Sequence, residues 1–173
     1  MTSEKFLGFM VSGCGIEANP EKIYAIQEMT APRSIKEVQR LTGRVAALNR
    51  FVARSAERCL SFFQTLKQHK NLCWTSECQQ TFEELRSYLG SPPLLAKPEP
   101  REELFLYLAI SPMALAAVPV KEEAKVQRPI YYVSRALRDV ETRYIKLEKL
   151  TYALLIAAWR LRPYFQEIGR AHV

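Results

Sequence analysis

The chain has 173 residues, of which 48% are hydrophobic, and it carries a formal net charge of +7 at pH 7. That length suffices for one domain or two small ones, and the positive charge favours an anionic partner, with nucleic acid first. No apolar run reaches the roughly 18 residues of a membrane span and no signal peptide is visible, so we expect an intracellular protein, cytoplasmic or nuclear, with no membrane partner.

The four cysteines form no CxxC pair, which is typical of reduced thiols inside the cell. His69, Cys73 and Cys78 are close in sequence, but their spacing matches no standard zinc pattern and a fourth ligand is missing. We therefore expect no metal site.

The first third of the chain predicts one strand followed by two helices. Lys5–Ser12 is a short apolar run, and Gly13–Gly15 is typical of a turn. Asn19 precedes Pro20, which predicts a capped helix to about Met29. Its candidates for burial are Ile23, Ile26 and Tyr24.

The next helix should begin at a capping box formed by Ser34 and Glu37. Gly43 should kink or interrupt it. Its apolar positions recur every three or four residues: Ile35, Val38, Leu41, Val45 and Leu48.

The polar side of this second helix carries a basic stripe of four residues: Arg33, Lys36, Arg40 and Arg44. If the chain stays helical, Arg50, Arg54 and Arg58 continue it. A row of cations at helical pitch could follow a phosphate backbone, or it could be a solvated face of a small helical bundle. Both interpretations stay open on the pattern alone.

Two further elements precede a proline-rich segment. Ser61–Lys70 is a short amphipathic piece. Trp74 should anchor a helix capped by Thr75 or Ser76. The inner face of that helix should comprise Cys78, Phe82, Leu85 and Leu89. Prolines cluster after Leu89, and we place a domain boundary there.

The last part predicts three strands and one long helix. The strands are Glu103–Ile110, Ala114–Lys121 and Arg128–Ser134, with a turn at Ser111–Met113 between the first two. The helix, about Arg143–Leu161, is apolar nearly all round from Leu150 to Trp159, so we expect it to be buried on most faces and to end at Pro163.

Several motifs agree in order and spacing: KFLGFMVS, SIKEVQRLTGRVAALNRFV, CWTSECQQTFEELRSYL, YYVSRAL and LEKL. Together they resemble gypsy-class LTR retrotransposon Pol polyproteins (Metaviridae), particularly those of plant type. The resemblance implies an α+β chain: a helical reverse transcriptase thumb and connection, then a truncated RNase H-like α/β module of three antiparallel strands plus one long helix.

The same resemblance implies a division of the chain and places further parts outside it. Residues 1–15 would end the palm hairpin, 16–90 form the thumb and connection, 91–102 the linker, and 103–166 the truncated RNase H-like domain. The polymerase carboxylates would lie upstream of Met1. The last six residues of 167–173 match a translated sequencing adapter, ATC GGA AGA GCA CAC GTC, so we treat this tail as adapter-derived.

RNase H-type hydrolysis uses carboxylates that converge on two magnesium ions. The resemblance puts Ala109 at the position of the family's first acid and Leu150 at its second, with Glu148 about 200° away around the helix. Neither side chain at the two positions can ligate a hard cation. We therefore expect no catalytic residue and no cofactor in this chain, with Mg²⁺ confined to the parent enzyme.

Pro119 falls inside the second strand, where proline removes a ladder hydrogen bond. A bulge could accommodate it, or the copy could be drifting without selection.

The resemblance leads to two hypotheses about function. In the first, the chain is an inactive part of a reverse transcriptase/RNase H polyprotein whose thumb helps to grip an RNA–DNA or DNA duplex. Alternatively, it is a non-enzymatic nucleic-acid-binding or protein-interaction module derived from a retroelement. The sequence identifies no small-molecule substrate.

Overall fold

A computed structural model describes residues 4–6, 9–12, 15–67, 73–99 and 102–167. The first half contains the strands β1 (Glu4–Phe6), β2 (Phe9–Ser12) and β3 (Gly15–Ala18) and the helices α1 (Pro20–Gln27), α2 (Ile35–Ala47), α3 (Ser55–Arg58), α4 (Leu60–Lys67) and α5 (Ser76–Leu89). The second half contains β4 (Leu104–Ile110), β5 (Ala114–Glu123), β6 (Val126–Pro129), β7 (Val133–Ala136), α6 (Lys146–Arg160) and α7 (Arg162–Glu167). Short 3₁₀ turns cover Asn49–Phe51 and Asp139–Arg143.

The N-terminal residues form an antiparallel sheet in the order β1–β2–β3. The single strand expected over Lys5–Ser12 is therefore wrong, because that run is divided between β1 and β2, and β3 was not predicted. Part of the predicted turn, residues 13–14, lies outside the described residues. Gly15 has φ +149°, and a Cβ there would clash with the Leu95 carbonyl, so the close approach of residue 95 to β3 requires glycine.

The predicted caps of the helices are confirmed. The Asn19 side chain accepts a hydrogen bond from the backbone of Glu21 at 2.9 Å, and Ser34 and Thr75 cap α2 and α5. The four predicted inner residues of α5 are all buried. Two expectations are wrong: Tyr24 is 61% exposed, and Gly43 does not interrupt α2, which is continuous from Ile35 to Ala47.

The second sheet has the order β4–β5–β6, with β7 also paired to β5. The expected third strand, Arg128–Ser134, is therefore two strands separated by a bulge, and the module has four strands instead of three. Val120 pairs with Pro129 and Ala117 pairs with Val133, so two residues of β5 face three residues of the partner segment.

This bulge lies opposite Pro119. The Pro119 carbonyl accepts the N–H of Ile130 at 2.9 Å, so the position of its missing N–H also faces the bulge rather than β4. On the β4 side, Pro119 is paired with Leu106 without interrupting the strand. The bulge alternative for this proline is confirmed.

Helix α6 packs on β4 and β5 through a narrow apolar row of Ala153, Ala157 and Leu161, all fully buried. The expectation that α6 is buried on most faces is wrong, since no described residue covers its outer side. That side exposes Leu147, Leu154, Leu155 and Trp159. As expected, α6 ends just before Pro163, at Arg160, and Pro163 is the second residue of the separate short helix α7.

The helical part and the second sheet are in contact. Helix α3 packs against β5 and β7, and the N–H of Ala56 donates to Ser134 Oγ at 3.0 Å. Even-numbered β4 residues such as Leu108 face α6, so α3 and α6 cover opposite faces of the sheet. In the predicted linker, Leu95 and Ala96 are buried, and Ala96 donates its N–H to the Pro129 carbonyl at 2.8 Å.

The observed architecture confirms the α+β class, with helices followed by an antiparallel sheet and a long helix. The proposed division into domains stays a prediction, and the tail over residues 168–173 lies outside the described residues. Nowhere in the described ranges is a helix both long and apolar enough to cross a bilayer.

Candidate nucleic-acid interface

The outer face of α2 carries a row of exposed cations that is followed by an exposed glycine. Lys36, Arg40 and Gly43 are exposed, whereas Val38 and Leu41 are fully buried in the helical core. No acidic partner of Lys36 or Arg40 occurs among the described residues. Both cations are therefore available to an anionic surface.

The start of α2 is fixed by a reciprocal pair of contacts. Ser34 Oγ accepts the N–H of Glu37 at 3.3 Å, and Glu37 Oε2 accepts the N–H of Arg33 at 2.6 Å. The carboxylate thus binds the backbone of Arg33, one residue earlier than in a standard capping box. The Arg33 side chain stays exposed next to Lys36.

Arg44, the fourth residue of the predicted stripe, is half-buried and points elsewhere. Its Nη1 donates a hydrogen bond to the Ala25 carbonyl, one of the last carbonyls of α1 that lack a partner within the helix. A cation at the C-terminal end of a helix is favourable. Arg44 thus joins α1 to α2, and a binding role for the four residues remains a prediction.

The expected continuation of the stripe through Arg50, Arg54 and Arg58 is wrong, because α2 ends at Ala47 and the chain turns. Arg54 has φ +52° and pairs with Glu57 at 3.7 Å. Arg58 donates to the Ala53 carbonyl at 3.1 Å and lies over the ring of Tyr88.

Arg50 occupies an aromatic cage where three parts of the chain meet. Its guanidinium carbon lies 4.9 Å from the ring centroids of both Phe9 and Tyr131, and Nη2 donates to Tyr164 Oη at 2.8 Å. Its carbonyl accepts the N–H of Tyr132 at 3.1 Å. The Nε atom is buried without a partner.

Gly43 is a functional candidate that sequence reasoning missed. A Cβ at this position would meet no atom of the described chain within 4 Å. Glycine inside a helix lowers its stability by about 1 kcal/mol relative to alanine. Since an alanine side chain would fit here, packing within the described chain does not explain the choice of glycine. The signal in the sequence was a glycine near the C-terminal end of a stripe of cations.

The two family positions for nuclease acids lie in different surroundings. Ala109 is on the face of β4 turned away from α6, beside a recess of about 50 Å³ lined by Arg54 and Glu57. Leu150 is half-buried on α6. Glu148 is exposed, and its Oε2 accepts the N–H of Ile145 at 3.0 Å, so this carboxylate caps α6.

The residues present do not fit a divalent metal. Within the ranges that the structure describes, no group of three histidine, cysteine or acidic side chains converges. Alanine and leucine at the two family positions offer no oxygen ligand.

Sequence reasoning also missed a polar network at the start of α6. Glu141 Oε1 accepts from Arg135 and from Tyr152 Oη, both at 2.7 Å, and Oε2 accepts the N–H of Arg138 at 2.8 Å. Burial opposes ionisation, but these hydrogen bonds and the Arg135 charge outweigh it and lower the pKa of Glu141. The network fixes β7 and the following turn to α6.

Lys149 is a second missed feature. It lies on the sheet side of α6, 8% exposed, and its Nζ donates to the Pro112 carbonyl at 3.1 Å. This contact holds the β4–β5 turn against the helix.

Comparison with known proteins places these features in a family. The family described as RNase H-like domain found in reverse transcriptase matches residues 74–173. The Pol polyprotein of the Drosophila melanogaster transposon opus is 31% identical over 99% of this chain and 18% of its own length. The Schizosaccharomyces pombe transposon Tf2-3 polyprotein is 24% identical over 94% of this chain and 12% of its own.

Solved structures of a viral reverse transcriptase are also similar to this chain. A foamy viral protease-reverse transcriptase in complex with an RNA/DNA hybrid superimposes with a TM-score of 0.79, 26% identity, and coverage of 97% of this chain and 23% of that one. The same viral protein with dsDNA gives 0.78 and 27%, over 98% and 35% of the two chains.

The chain thus spans between 12% and 18% of the length of the two transposon polyproteins compared here. Its sheet, covering helix and preceding helical part share their arrangement with those of the viral enzyme. The chain is similar to a segment of retrotransposon Pol polyproteins, and it belongs to the family of RNase H-like domains found in reverse transcriptases.

Proposed function

We propose that this chain is the thumb-to-RNase H-like segment of a gypsy-class, plant-type retrotransposon polyprotein, and that it holds a primer–template duplex without cleaving it. Binding of nucleic acid is supported by the solved relatives, which are complexes with an RNA/DNA hybrid and with dsDNA. The subclass is supported by the motif spelling given above. An intracellular site of action, cytoplasmic or nuclear, belongs to the same proposal.

The observation that carries the proposal is the outer face of α2. Lys36 and Arg40 present charge one turn apart, and Arg33 extends the row. Phosphate contacts of this kind dominate affinity for nucleic acid and weaken as salt rises. Because Gly43 has no side chain, the helix backbone could approach a sugar–phosphate surface closely at the C-terminal end of this row of cations.

The proposal that the chain does not cleave nucleic acid rests on the side chains at the two family positions. Ala109 and Leu150 cannot hold Mg²⁺, so the metal of the proposed parent enzyme would be held by acids elsewhere in the polyprotein. The recess beside Ala109 is lined by one acid, Glu57, which already pairs with Arg54 at 3.7 Å.

The experiment is a duplex-binding titration by fluorescence anisotropy over a range of salt concentrations. The variant Lys36→Gln/Arg40→Gln should weaken binding and reduce the salt slope by about 2, one for each lost phosphate contact. The matched control is Lys97→Gln/Arg160→Gln, which removes two exposed cations elsewhere. Equal affinities for the two double variants would refute the proposed interface.

A protein-interaction module is the second candidate, and the outer side of α6 favours it. Leu155 is 62% exposed and Trp159 is 68% exposed, and contiguous apolar surface of this kind marks interaction sites. Analytical ultracentrifugation separates the two candidates. The interaction module would be favoured if the parent chain self-associates and Leu155→Gln/Trp159→Gln abolishes that association. It would also require that the parent chain fails to bind duplex at every salt concentration.

A further inference from the structure

A cleft of about 610 Å³ opens between the helical part and the second sheet. One wall is formed by α2 and α4, and the other by β7 and the turn after it. Thr42 and Ala46 of α2 line it, so the helix that carries the cationic face also forms part of a cleft wall. Its volume lies within the range of about 300–1,000 Å³ typical of sites for organic ligands.

An aromatic ring stands at the edge of this cleft. Phe63 of α4 is 37% exposed and lines the opening, whereas its neighbour Phe62 is fully buried in the helical core. Met113 lies on the opposite wall and is also exposed. The cleft thus presents a free aromatic face above an apolar floor.

Cations stand on both walls. Lys67 follows Phe63 by one helical turn, so both project from the same side of α4, and Arg138 is exposed on the opposite wall. Lys67 has no acidic partner among the described residues, whereas the charge of Arg138 also acts on Glu141. Asp139 is the single acidic residue of the described lining. Gln64 adds an exposed amide that can donate and accept hydrogen bonds.

We propose that this cleft binds an unpaired, single-stranded stretch of nucleic acid. A base would stack on Phe63, and the flanking phosphates would lie near Lys67 and Arg138. An aromatic platform combined with cations along the backbone path is how proteins bind single strands without sequence preference. The inference rests on the proposed function, because the strand would continue from a duplex held on α2.

The test uses the whole chain and two labelled probes, an oligothymidylate of about 15 nucleotides and a duplex. Phe63→Leu keeps an apolar side chain but removes the ring, and it should weaken oligothymidylate binding about tenfold with little effect on the duplex. Lys67→Gln/Arg138→Gln removes only exposed charge and should weaken oligothymidylate binding while lowering its salt dependence.

The matched control is Phe105→Leu, because Phe105 is a similarly exposed phenylalanine, 40% exposed, on β4 away from the cleft. It should change neither affinity. If both cleft variants bind oligothymidylate as the parent does, or if the parent binds none, the cleft proposal is overturned. Loss of duplex binding in Lys36→Gln/Arg40→Gln would still support the α2 interface in that case, so the two proposals fail separately.

Discussion

Arg50 connects parts of the chain that are distant in sequence, and its replacement by methionine gives the sharpest test of the fold. The change removes two cation–π contacts at 4.9 Å, each worth about 1 kcal/mol when partly buried. It also removes a hydrogen bond from a charged donor to Tyr164, worth about 1.5 kcal/mol or more.

The loss is partly offset, because methionine removes the buried Nε that has no partner. We expect a net destabilisation of about 2–3 kcal/mol, which lowers the Tm by about 4–12 °C for a chain of this size. Differential scanning calorimetry measures this shift. Hydrogen exchange should show faster exchange around Tyr132, whose N–H is bonded to the Arg50 carbonyl.

The control is Arg58→Met, because Arg58 stacks on Tyr88 and binds the Ala53 carbonyl, both within the helical part. It should lower the Tm without changing hydrogen exchange in the second sheet. A Tm for Arg50→Met within about 1 °C of the parent would refute the view that this cage joins the two parts.

The remaining predictions concern single positions. Gly43→Ala should stabilise α2 by about 1 kcal/mol in thermal melts, yet weaken duplex binding, because a methyl group then stands where a close approach is proposed; unchanged affinity would argue against that approach. The lowered pKa of Glu141 contributes stability that is fully present above the unfolded pKa of about 4.3 and is lost as pH falls through the folded pKa. Glu141→Gln should therefore cost about 1–2 kcal/mol at neutral pH and less in acid, and equal losses at both pH values in denaturant titrations would contradict this. Burial raises the pKa of Cys59 to about 12, so iodoacetamide at pH 8 should label exposed Cys73 and spare Cys59, as peptide mass spectrometry can verify.

Local patterns in the sequence were sufficient for the helices α1, α2 and α5. The apolar spacing of α5 and the caps at Asn19, Ser34 and Thr75 depend on residues within four positions of one another. Such short-range relations predict both where a helix begins and which face it buries.

Long-range relations could not be predicted in the same way. Arg50 appeared as one cation in a series, but the partner of its guanidinium, Tyr164, is 114 positions away. Helix α6 was expected to be buried because it is apolar nearly all round. Burial also needs a covering surface, which no described residue supplies for Trp159.

The candidate site was predictable in part. The cationic row on α2 follows from helical pitch, and Lys36 and Arg40 are exposed as a binding face requires. The hydrogen bond from Arg44 to the Ala25 carbonyl depends on how α1 and α2 pack. The spacing of cations in the sequence does not determine that packing.

The bulge opposite Pro119 bears on how such sequences evolve. Since the position of the missing N–H faces the bulge rather than β4, exchanging another residue for proline leaves the pairing of β4 with β5 intact. A neutral substitution of this kind can accumulate in a lineage whether or not the element still transposes. Proline at this position is therefore compatible both with a maintained fold and with a drifting copy.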